Sequence, residues 1–137
     1  MRFTPLTAFL TLAGIATAAL PECSPPEKAG ILLPARNATV RVGKPFQFYF
    51  CSAQYFRTHT ISIDVVLTST KGALTNGTLV SAGLTPKPAD ESGYLYNITI
   101  PSGYQQRGKA YLGVFERASG YYAPTYTTTS LLVNVVS

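Results

Sequence analysis

The sequence predicts an all-β fold, a seven-stranded β-sandwich of the immunoglobulin-like or fibronectin-III-like type. No segment repeats apolar residues at the helical spacing of i, i+3, i+4 and i+7. Short runs of β-branched and aromatic residues occur instead, separated by turn residues at spacings typical of a sandwich. Ten prolines and eleven glycines punctuate the 137-residue chain, which favours short strands over long helices.

Seven runs are predicted to be strands because each is rich in β-branched, aromatic or aliphatic residues and is bounded by turn residues. In chain order they are residues 38–42, 45–51, 60–69, 78–84, 94–100, 109–117 and 126–136. Alternation of the two faces is clearest in the second, third and fifth runs.

The alternating positions predict which side chains face the core. The core-facing set is Phe46, Phe48, Phe50, Ile61, Ile63, Val65, Leu67, Tyr94, Tyr96, Ile98 and Ile100. The set on the opposite faces is Gln47, Tyr49, Cys51, Ser62, Asp64, Thr68, Asn97 and Thr99. An outward Asn97 agrees with its place in a glycosylation sequence, because a glycan needs water around it.

Two of the connections have recognisable turn chemistry. Asn76-Gly77 is typical of a tight turn with a positive φ. Residues 86–93 contain two prolines and a glycine, which predicts a loop, because a strand does not tolerate such a run.

The first nineteen residues are predicted to be a cleaved signal peptide. Arg2 supplies a positive charge, residues 6–20 are apolar apart from three threonines, and residues 16–18 (Ala-Thr-Ala) match the cleavage pattern. The apolar run is short for a bilayer span and Pro21 follows it, so a membrane anchor is the weaker interpretation. We therefore expect a signal peptide over 1–19, a Pro-rich segment over 20–37 and a β-sandwich domain over 38–137, secreted to the extracellular space.

The chain has two cysteines, Cys23 and Cys51, and both follow the predicted signal peptide. In an oxidising compartment this predicts one disulfide bond. It would close a loop of about 28 residues and contribute roughly 3–4 kcal/mol by restricting the unfolded chain. The alternative, a reactive thiol, needs an activating cation, and no basic residue is adjacent to either cysteine in sequence.

Three acceptor sequences for N-glycosylation follow the signal peptide, at Asn37, Asn76 and Asn97. Each asparagine stands two residues before a threonine. Three such sequences in one exported domain predict a glycoprotein, with each asparagine facing solvent.

The charge pattern argues against a nucleic-acid partner. Without the signal peptide the chain has ten basic and six acidic side chains, and the basic residues never occur three together. Nucleic-acid binding usually requires a basic cluster interleaved with aromatic residues.

No group of His, Cys, Asp and Glu has metal-ligand spacing, and neither a phosphate-binding loop nor a nucleophile elbow occurs. We expect no metal and no cofactor.

Catalytic residues are not recognisable in the sequence. The single histidine, His59, is predicted to be a solvated loop residue. Asp90 and Glu91 are adjacent, and consecutive carboxylates rarely flank a cleft as glycosidase pairs do, so a role in the turn is expected. These observations predict a protein that is not an enzyme.

Aromatic residues in the predicted loops are the remaining functional candidates. Three connections gather at one end of a seven-stranded sandwich, those after the second, fourth and sixth strands. They carry a candidate binding patch of Tyr55, Phe56, Arg57, Lys87, Tyr121 and Tyr122. Tyrosine and arginine are favoured at binding hot spots, so the patch predicts a macromolecular partner. The alternative is that these tyrosines merely close the end of the sandwich.

Four stretches of the chain resemble the necrosis-inducing secreted effector family of filamentous fungi. They are VGKPFQF (residues 42–48), YNITIP (96–101), GKAYLGVF (108–115) and the closing segment 124–135. The resemblance implies a fungal source and a β-sandwich that dampens or triggers plant immune responses and cell death through host cell-surface receptor kinases. It implies no catalytic residues.

Three functions therefore stand as hypotheses. The preferred one is a secreted effector-like interaction protein with a protein partner, bound through loop-end residues. The second is an extracellular cell-wall or carbohydrate-binding module, which would favour coplanar aromatic rings on one sheet face for stacking on a wall polysaccharide. The third is a cationic antimicrobial or structural wall protein.

Overall fold

The computed structural model describes residues 19–25, 27–53, 59–86 and 92–137, and these residues form an all-β sandwich of two sheets. The all-β sandwich expected from the sequence is confirmed at this level. The predicted signal peptide lies outside the described residues except for Ala19. Among the described residues, no helix combines the length and apolarity that a membrane crossing needs.

The described residues contain eight strands and one short 3₁₀ helix. The strands are β1 (Gly30–Leu33), β2 (Thr39–Arg41), β3 (Pro45–Cys51), β4 (Thr60–Thr68), β5 (Thr78–Leu84), β6 (Gly93–Thr99), β7 (Gly108–Ala118) and β8 (Thr125–Val136). The 3₁₀ helix, Leu74–Asn76, lies between β4 and β5. Strands β2 to β8 correspond to the seven predicted runs, with small differences at their ends.

The two sheets differ in size. The smaller sheet has the order β1-β3-β6, and the larger has the order β2-β8-β7-β4-β5. Neighbouring strands are antiparallel, except that β2 runs parallel to β8. The longest pairing joins β7 to β8 without a break, from Gly108 opposite Val135 to Ala118 opposite Thr125.

The core lies between the sheets and is built from alternating strand positions, as the pleat requires. Its buried members are Val40, Phe48, Phe50, Ile63, Val65, Leu67, Tyr94, Ile98, Ile100, Tyr104, Ala110, Leu112, Val114, Val133 and Val135. The predicted core positions of β3, β4 and β6 are therefore confirmed, although Phe46 and Tyr96 are only partly buried and Ile61 is half-buried. Asn97 and Thr99 are exposed on the other face of β6, as expected.

Strand β1 was not predicted. It lies in the segment expected to be an irregular Pro-rich leader, and it pairs with β3, with Gly30 opposite Cys51. Its four residues contain no alternation of apolar and polar side chains, because Ile31, Leu32 and Leu33 are all apolar. The period-two signal is therefore absent from β1.

The Cys23–Cys51 disulfide is present, with 5.4 Å between the two Cα atoms. It holds the N-terminal segment on the face of β3 opposite the core. This explains why Cys51 is fully buried, although the alternation of β3 predicted an outward position. Tyr49, two residues earlier on the same face, is also buried, so both residues lie on the predicted face of β3, but that face is covered there.

Thr68 likewise lies on its predicted face, and it is buried because the 3₁₀ helix covers that face of the larger sheet. Leu74 is 6% exposed and packs on Gly113, where an added Cβ would lie 2.3 Å from a Leu74 methyl carbon. Val66 and Thr68 on the neighbouring strand are buried on this covered face. The alternation of residues within β4 does not predict this burial, because the side chain that covers the face, Leu74, lies in the connection between β4 and β5.

The Asn76-Gly77 turn does not have the predicted positive φ. Gly77 has φ −75°, and it caps the 3₁₀ helix by donating its N–H to the Leu74 carbonyl at 3.0 Å. Glycine is needed there for space, because a Cβ would lie 3.1 Å from the carbonyl oxygens of Leu67 and Leu74. The glycine therefore permits close backbone approach.

Candidate interaction surface

The turn between β7 and β8 projects from one end of the sandwich. Gly120 shapes it, because an added Cβ would lie 2.2 Å from the carbonyl oxygen of Ala123. The start of the turn is held to the residue before β4, since the Ser119 N–H donates to the His59 carbonyl at 2.8 Å. The His59 N–H in turn donates to Ser119 Oγ at 2.9 Å.

Three tyrosines at this end of the β7–β8 hairpin are exposed. The exposed fractions are 65% for Tyr121, 103% for Tyr122 and 72% for Tyr126. Tyr121 and Tyr122 were part of the predicted patch, whereas Tyr126 was assigned to a strand and was not included. We call Tyr121, Tyr122 and Tyr126 the tyrosine surface.

A cation lies directly beside the tyrosine surface. Arg117 on β7 is the cross-strand partner of Tyr126 on β8, and both side chains are exposed. Side chains at directly opposed positions lie about 4.5–5.5 Å apart at their Cβ atoms, so the guanidinium and the phenol share one face. Phe115, two residues before Arg117, lies on the same face and is half-buried.

The other four residues of the predicted patch, Tyr55, Phe56, Arg57 and Lys87, lie outside the described residues. The described residues that flank their loops meet at the same end as the β7–β8 turn. Ser52 donates its N–H to the Ser92 carbonyl at 2.8 Å, and Thr60 is paired with Ala118. The predicted clustering of the three connections is thus supported by their flanks, and the positions of these four side chains stay a prediction.

A buried carboxylate lies beneath this end of the sandwich. Glu116 is 4% exposed and projects to the core side of β7. Its Oε1 accepts a short hydrogen bond from Ser52 Oγ, which follows β3 in the other sheet. Its Oε2 accepts from Thr127 Oγ1 at 3.2 Å, from the cross-strand position on β8. The carboxylate therefore joins both sheets just below the turn.

Tyr94 and Thr60 form a second polar link between the sheets, through a short hydrogen bond between their hydroxyl groups. Burial raises the pKa of Tyr94 to about 12, the hydrogen bond to Thr60 opposes this shift, and the charge of Glu116 adds to it. The ring of Tyr94 also packs on Phe50, with 5.8 Å between ring centroids and a 54° tilt. Tyr94 therefore stays a neutral hydrogen-bonding group at neutral pH.

A cavity of about 220 Å³ opens beside Glu116, between the N-terminal segment and the larger sheet. Its lining combines Ala29, Gly30, Phe50, Cys51, Ala53, Glu116, Thr127 and Thr129. The polar groups come mainly from Glu116 and the two threonines of β8, and Ala53 leads into the undescribed segment 54–58.

The histidine predicted to be solvated is exposed but not isolated. Ser119 Oγ lies 2.9 Å from His59 Nδ1, an approach of nucleophile and base types that the sequence did not predict. Ser119 Oγ also accepts a hydrogen bond from the His59 N–H, so the two residues connect the start of β4 to the β7–β8 turn. Asp90 and Glu91 lie outside the described residues. Within the part of the chain that is described, no three His, Cys, Asp or Glu side chains are grouped for metal binding.

The three predicted glycosylation asparagines are all exposed. Asn37 has a left-handed backbone with φ 64° and donates its N–H to the Leu132 carbonyl at 2.7 Å. Asn97 projects from the outer face of β6, and Asn76 ends the 3₁₀ helix. All three lie away from the β7–β8 turn, so sugars on them would leave the tyrosine surface open.

Basic side chains that are far apart in sequence meet at the opposite end of the sandwich. Arg41 donates to the Ser137 carbonyl and Arg107 to the Ser137 hydroxyl, each at 3.1 Å. The parallel pairing of β2 with β8 brings Arg41 to the end of β8, and the antiparallel pairing of β7 with β8 brings Arg107 there. No local sequence pattern predicts this grouping.

No protein-family model and no curated protein matches the chain.

Proposed function

We propose that the chain is a secreted, non-enzymatic interaction protein of the effector type, and that the tyrosine surface contacts its partner. The observation that carries this proposal is the exposure of Tyr121, Tyr122 and Tyr126 at one end of the β7–β8 hairpin. Tyrosine provides a large, rigid contact area at low entropic cost, and its hydroxyl adds a hydrogen bond. Arg117 beside Tyr126 supplies the other side chain that is enriched at binding hot spots.

The extracellular setting is part of this proposal. The signal-peptide pattern of residues 1–19 and the Cys23–Cys51 disulfide both fit an oxidising, exported environment. The fold would be of the immunoglobulin-like or fibronectin-III-like type, carrying glycans on its exposed asparagines. The effector resemblance supplies the expected source, a filamentous fungus, and the expected partner, a receptor kinase at the plant cell surface.

Binding to plant plasma-membrane vesicles tests the proposal. The glycosylated protein, secreted from a eukaryotic host, should be retained by the vesicles, and Tyr121→Ala combined with Tyr122→Ala should remove most of the retention. Two lost hot-spot side chains at about 2 kcal/mol each would weaken the affinity on the order of a thousandfold. Circular dichroism should be unchanged, because both residues lie in a turn outside the core.

Leu79→Ala is the matched control for apolar surface. Leu79 is 52% exposed on the edge strand β5, away from the β7–β8 turn, so its removal should leave retention unchanged. Equal retention of the double tyrosine variant and the wild type would reject the tyrosine surface as the contact.

A second function, binding of a wall polysaccharide, is favoured by a different feature. Tyr111, Phe115 and Tyr126 occupy outward positions of neighbouring strands on one face of the larger sheet. Aromatic rings on a sheet face are suited to stacking on sugar rings. Tyr126 belongs both to this face and to the tyrosine surface.

Sedimentation with chitin, β-glucan and cellulose separates the two functions. A wall-binding module should be retained by at least one polymer. Tyr126→Ala should abolish this retention, whereas Tyr122→Ala should have little effect on it. Retention by vesicles without retention by any polymer would favour the protein partner.

A further inference from the structure

A polar cleft of about 360 Å³ lies at the end of the sandwich opposite the tyrosine surface. It is formed between the 3₁₀-helix connection and the connection from β6 to β7. Its volume lies near the lower end of the range of small-molecule sites, about 300–1,000 Å³, which suits a ligand of one or two sugar rings.

The wall of the cleft on the β6–β7 side is held in place by its own hydrogen bonds. Tyr104 is 6% exposed, and its hydroxyl donates to Gln106 Oε1 at 3.2 Å. The Tyr104 carbonyl accepts from Arg107 at 2.6 Å, and the Gln105 side chain donates to the Gly103 carbonyl at 3.1 Å. The two glutamine amides therefore occupy defined positions at the cleft.

The facing wall contains an asparagine of an N-glycosylation sequence. Asn76 and Thr78 both line the cleft. The backbone at Asn76 is fixed by its own N–H bond to the Ala73 carbonyl at 3.1 Å and by the Gly77 N–H bond to Leu74 at 3.0 Å. Neither Asn37 nor Asn97 lines this cleft. Asn76 is thus an acceptor amide held at the edge of a sugar-sized polar site.

We propose that Asn76 carries an N-glycan whose first N-acetylhexosamine packs in this cleft against residues 101–106. The bond forms between Asn76 Nδ2 and the anomeric carbon of a lipid-diphosphate-linked oligosaccharide. The bond from that carbon to the diphosphate breaks, and the amide proton leaves with the released lipid diphosphate. The acetamido group and the hydroxyls of the sugar then form hydrogen bonds with the side-chain amides of Gln105 and Gln106. The sugar links the 3₁₀ helix to the β6–β7 connection.

This inference rests on the secretion included in the proposed function, because the donor and the transferase are met only on the export route. Its test does not involve the partner. The protein is secreted from a eukaryotic host, and release of the glycans from the native and the denatured protein by peptide-N-glycosidase is followed by mass spectrometry at each asparagine.

The expected result is that the Asn76 glycan is released about tenfold more slowly than the Asn97 glycan from the native protein, and at the same rate after denaturation. Asn97 is the matched control, because it is exposed on a strand and does not line the cleft. Gln105→Ala combined with Gln106→Ala should remove the difference, and circular dichroism should still show the all-β fold, since both side chains are exposed and lie outside the core.

Backbone hydrogen exchange gives a second measurement. Asn76→Gln should increase exchange in residues 101–107, whereas Asn97→Gln should not. An unmodified Asn76 in the secreted protein would overturn the inference, as would equal release from Asn76 and Asn97. None of these outcomes bears on retention by vesicles, which tests the proposed function separately.

Discussion

Glu116 joins the two sheets through both of its carboxylate oxygens. Ser52 and Thr127 supply the two hydroxyl donors, and the side chain is 4% exposed. Burying a carboxylate is costly unless its hydrogen bonds are made, so the neighbouring hydroxyls make this residue tolerable in the core. Its position just below the β7–β8 turn gives it a structural role in supporting the tyrosine surface.

Replacing Glu116 with alanine should destabilise the protein. The Ser52 and Thr127 hydroxyls would lose their shared acceptor, and for the buried Ser52 hydroxyl this costs about 1–3 kcal/mol in the free energy of unfolding. Glu116→Gln keeps an acceptor oxygen and should cost less. Urea denaturation followed by circular dichroism measures both values, and an alanine variant as stable as the wild type would contradict this role.

Tyr94 should make the stability depend on alkaline pH. Burial, the largest cause, raises its pKa to about 12, whereas a tyrosine in the unfolded chain ionises near 10. Below pH 10 the phenol is neutral in both states. Between pH 10 and 12 the unfolded chain loses the proton first, so stability falls in this window by on the order of 2–3 kcal/mol.

Tyr94→Phe is the variant that isolates this effect. Its free energy of unfolding should fall less between pH 10 and 12 than that of the wild type, because the titrating hydroxyl is absent. Equal losses in the two proteins would show that other groups control the alkaline limit.

At the scale of elements, the 3₁₀ helix covers part of the outer face of the larger sheet. Leu74 provides the cover and Gly113 on β7 provides the space for it, with Val66 and Thr68 buried alongside. This divides the outer face into a covered half and an open half. The open half carries Phe115, Arg117 and Tyr126, so the cover helps to set the limits of the candidate surface.

The contact between Leu74 and Gly113 predicts a non-additive pair of variants. Gly113→Ala would place a Cβ 2.3 Å from a Leu74 methyl carbon, so it should destabilise the protein by about 1–3 kcal/mol. Leu74→Ala removes the opposing atoms, so the double variant should be more stable than the sum of the single losses predicts. Chemical denaturation of the four proteins gives the coupling, and strict additivity would contradict the packing.

The strands that were predicted from sequence are those with a local signal. On β3 the phenylalanines at positions 46, 48 and 50 alternate with other residues. On β6 the exposed Asn97 marks the face that points away from the core. Strand β1 has three consecutive apolar residues and therefore no alternation, and its pairing depends on a distant strand and a disulfide. Local patterns likewise could not report the cover by Leu74 or the burial of Glu116, because both result from contacts between elements far apart in the chain.

In the candidate site, too, some residues have a local sequence signal and were predicted, and others were not. Tyr121 and Tyr122 were predicted because they follow one another in a turn-rich stretch, and they are exposed. Tyr126 was missed, because its strand assignment suggested a wall residue, whereas its parity places it outward at the end of β8. An expectation based on parity within β8 would have found it, since Leu131, Val133 and Val135 define the inward positions.

At the scale of the whole molecule, the two ends of the sandwich differ. One end carries the exposed tyrosines above a core closed by Glu116, Tyr94 and their hydroxyl partners. The other carries the cleft beside Asn76 and the arginines gathered around Ser137. A glycan at Asn76 would extend from the second end, which leaves the first end as the accessible protein surface. Partner contact through the β7–β8 turn is the central claim that this arrangement supports.

Photo-cross-linking from position 122 tests that claim most directly. The Tyr122→p-benzoylphenylalanine protein should form covalent adducts with proteins of plant plasma membranes on irradiation. An excess of unlabelled wild-type protein should suppress these adducts. An excess of the protein that carries both Tyr121→Ala and Tyr122→Ala should not suppress them. The same photoreactive residue at position 79 should give no competable adduct. Competable adducts from position 79 and none from position 122 would contradict the claim.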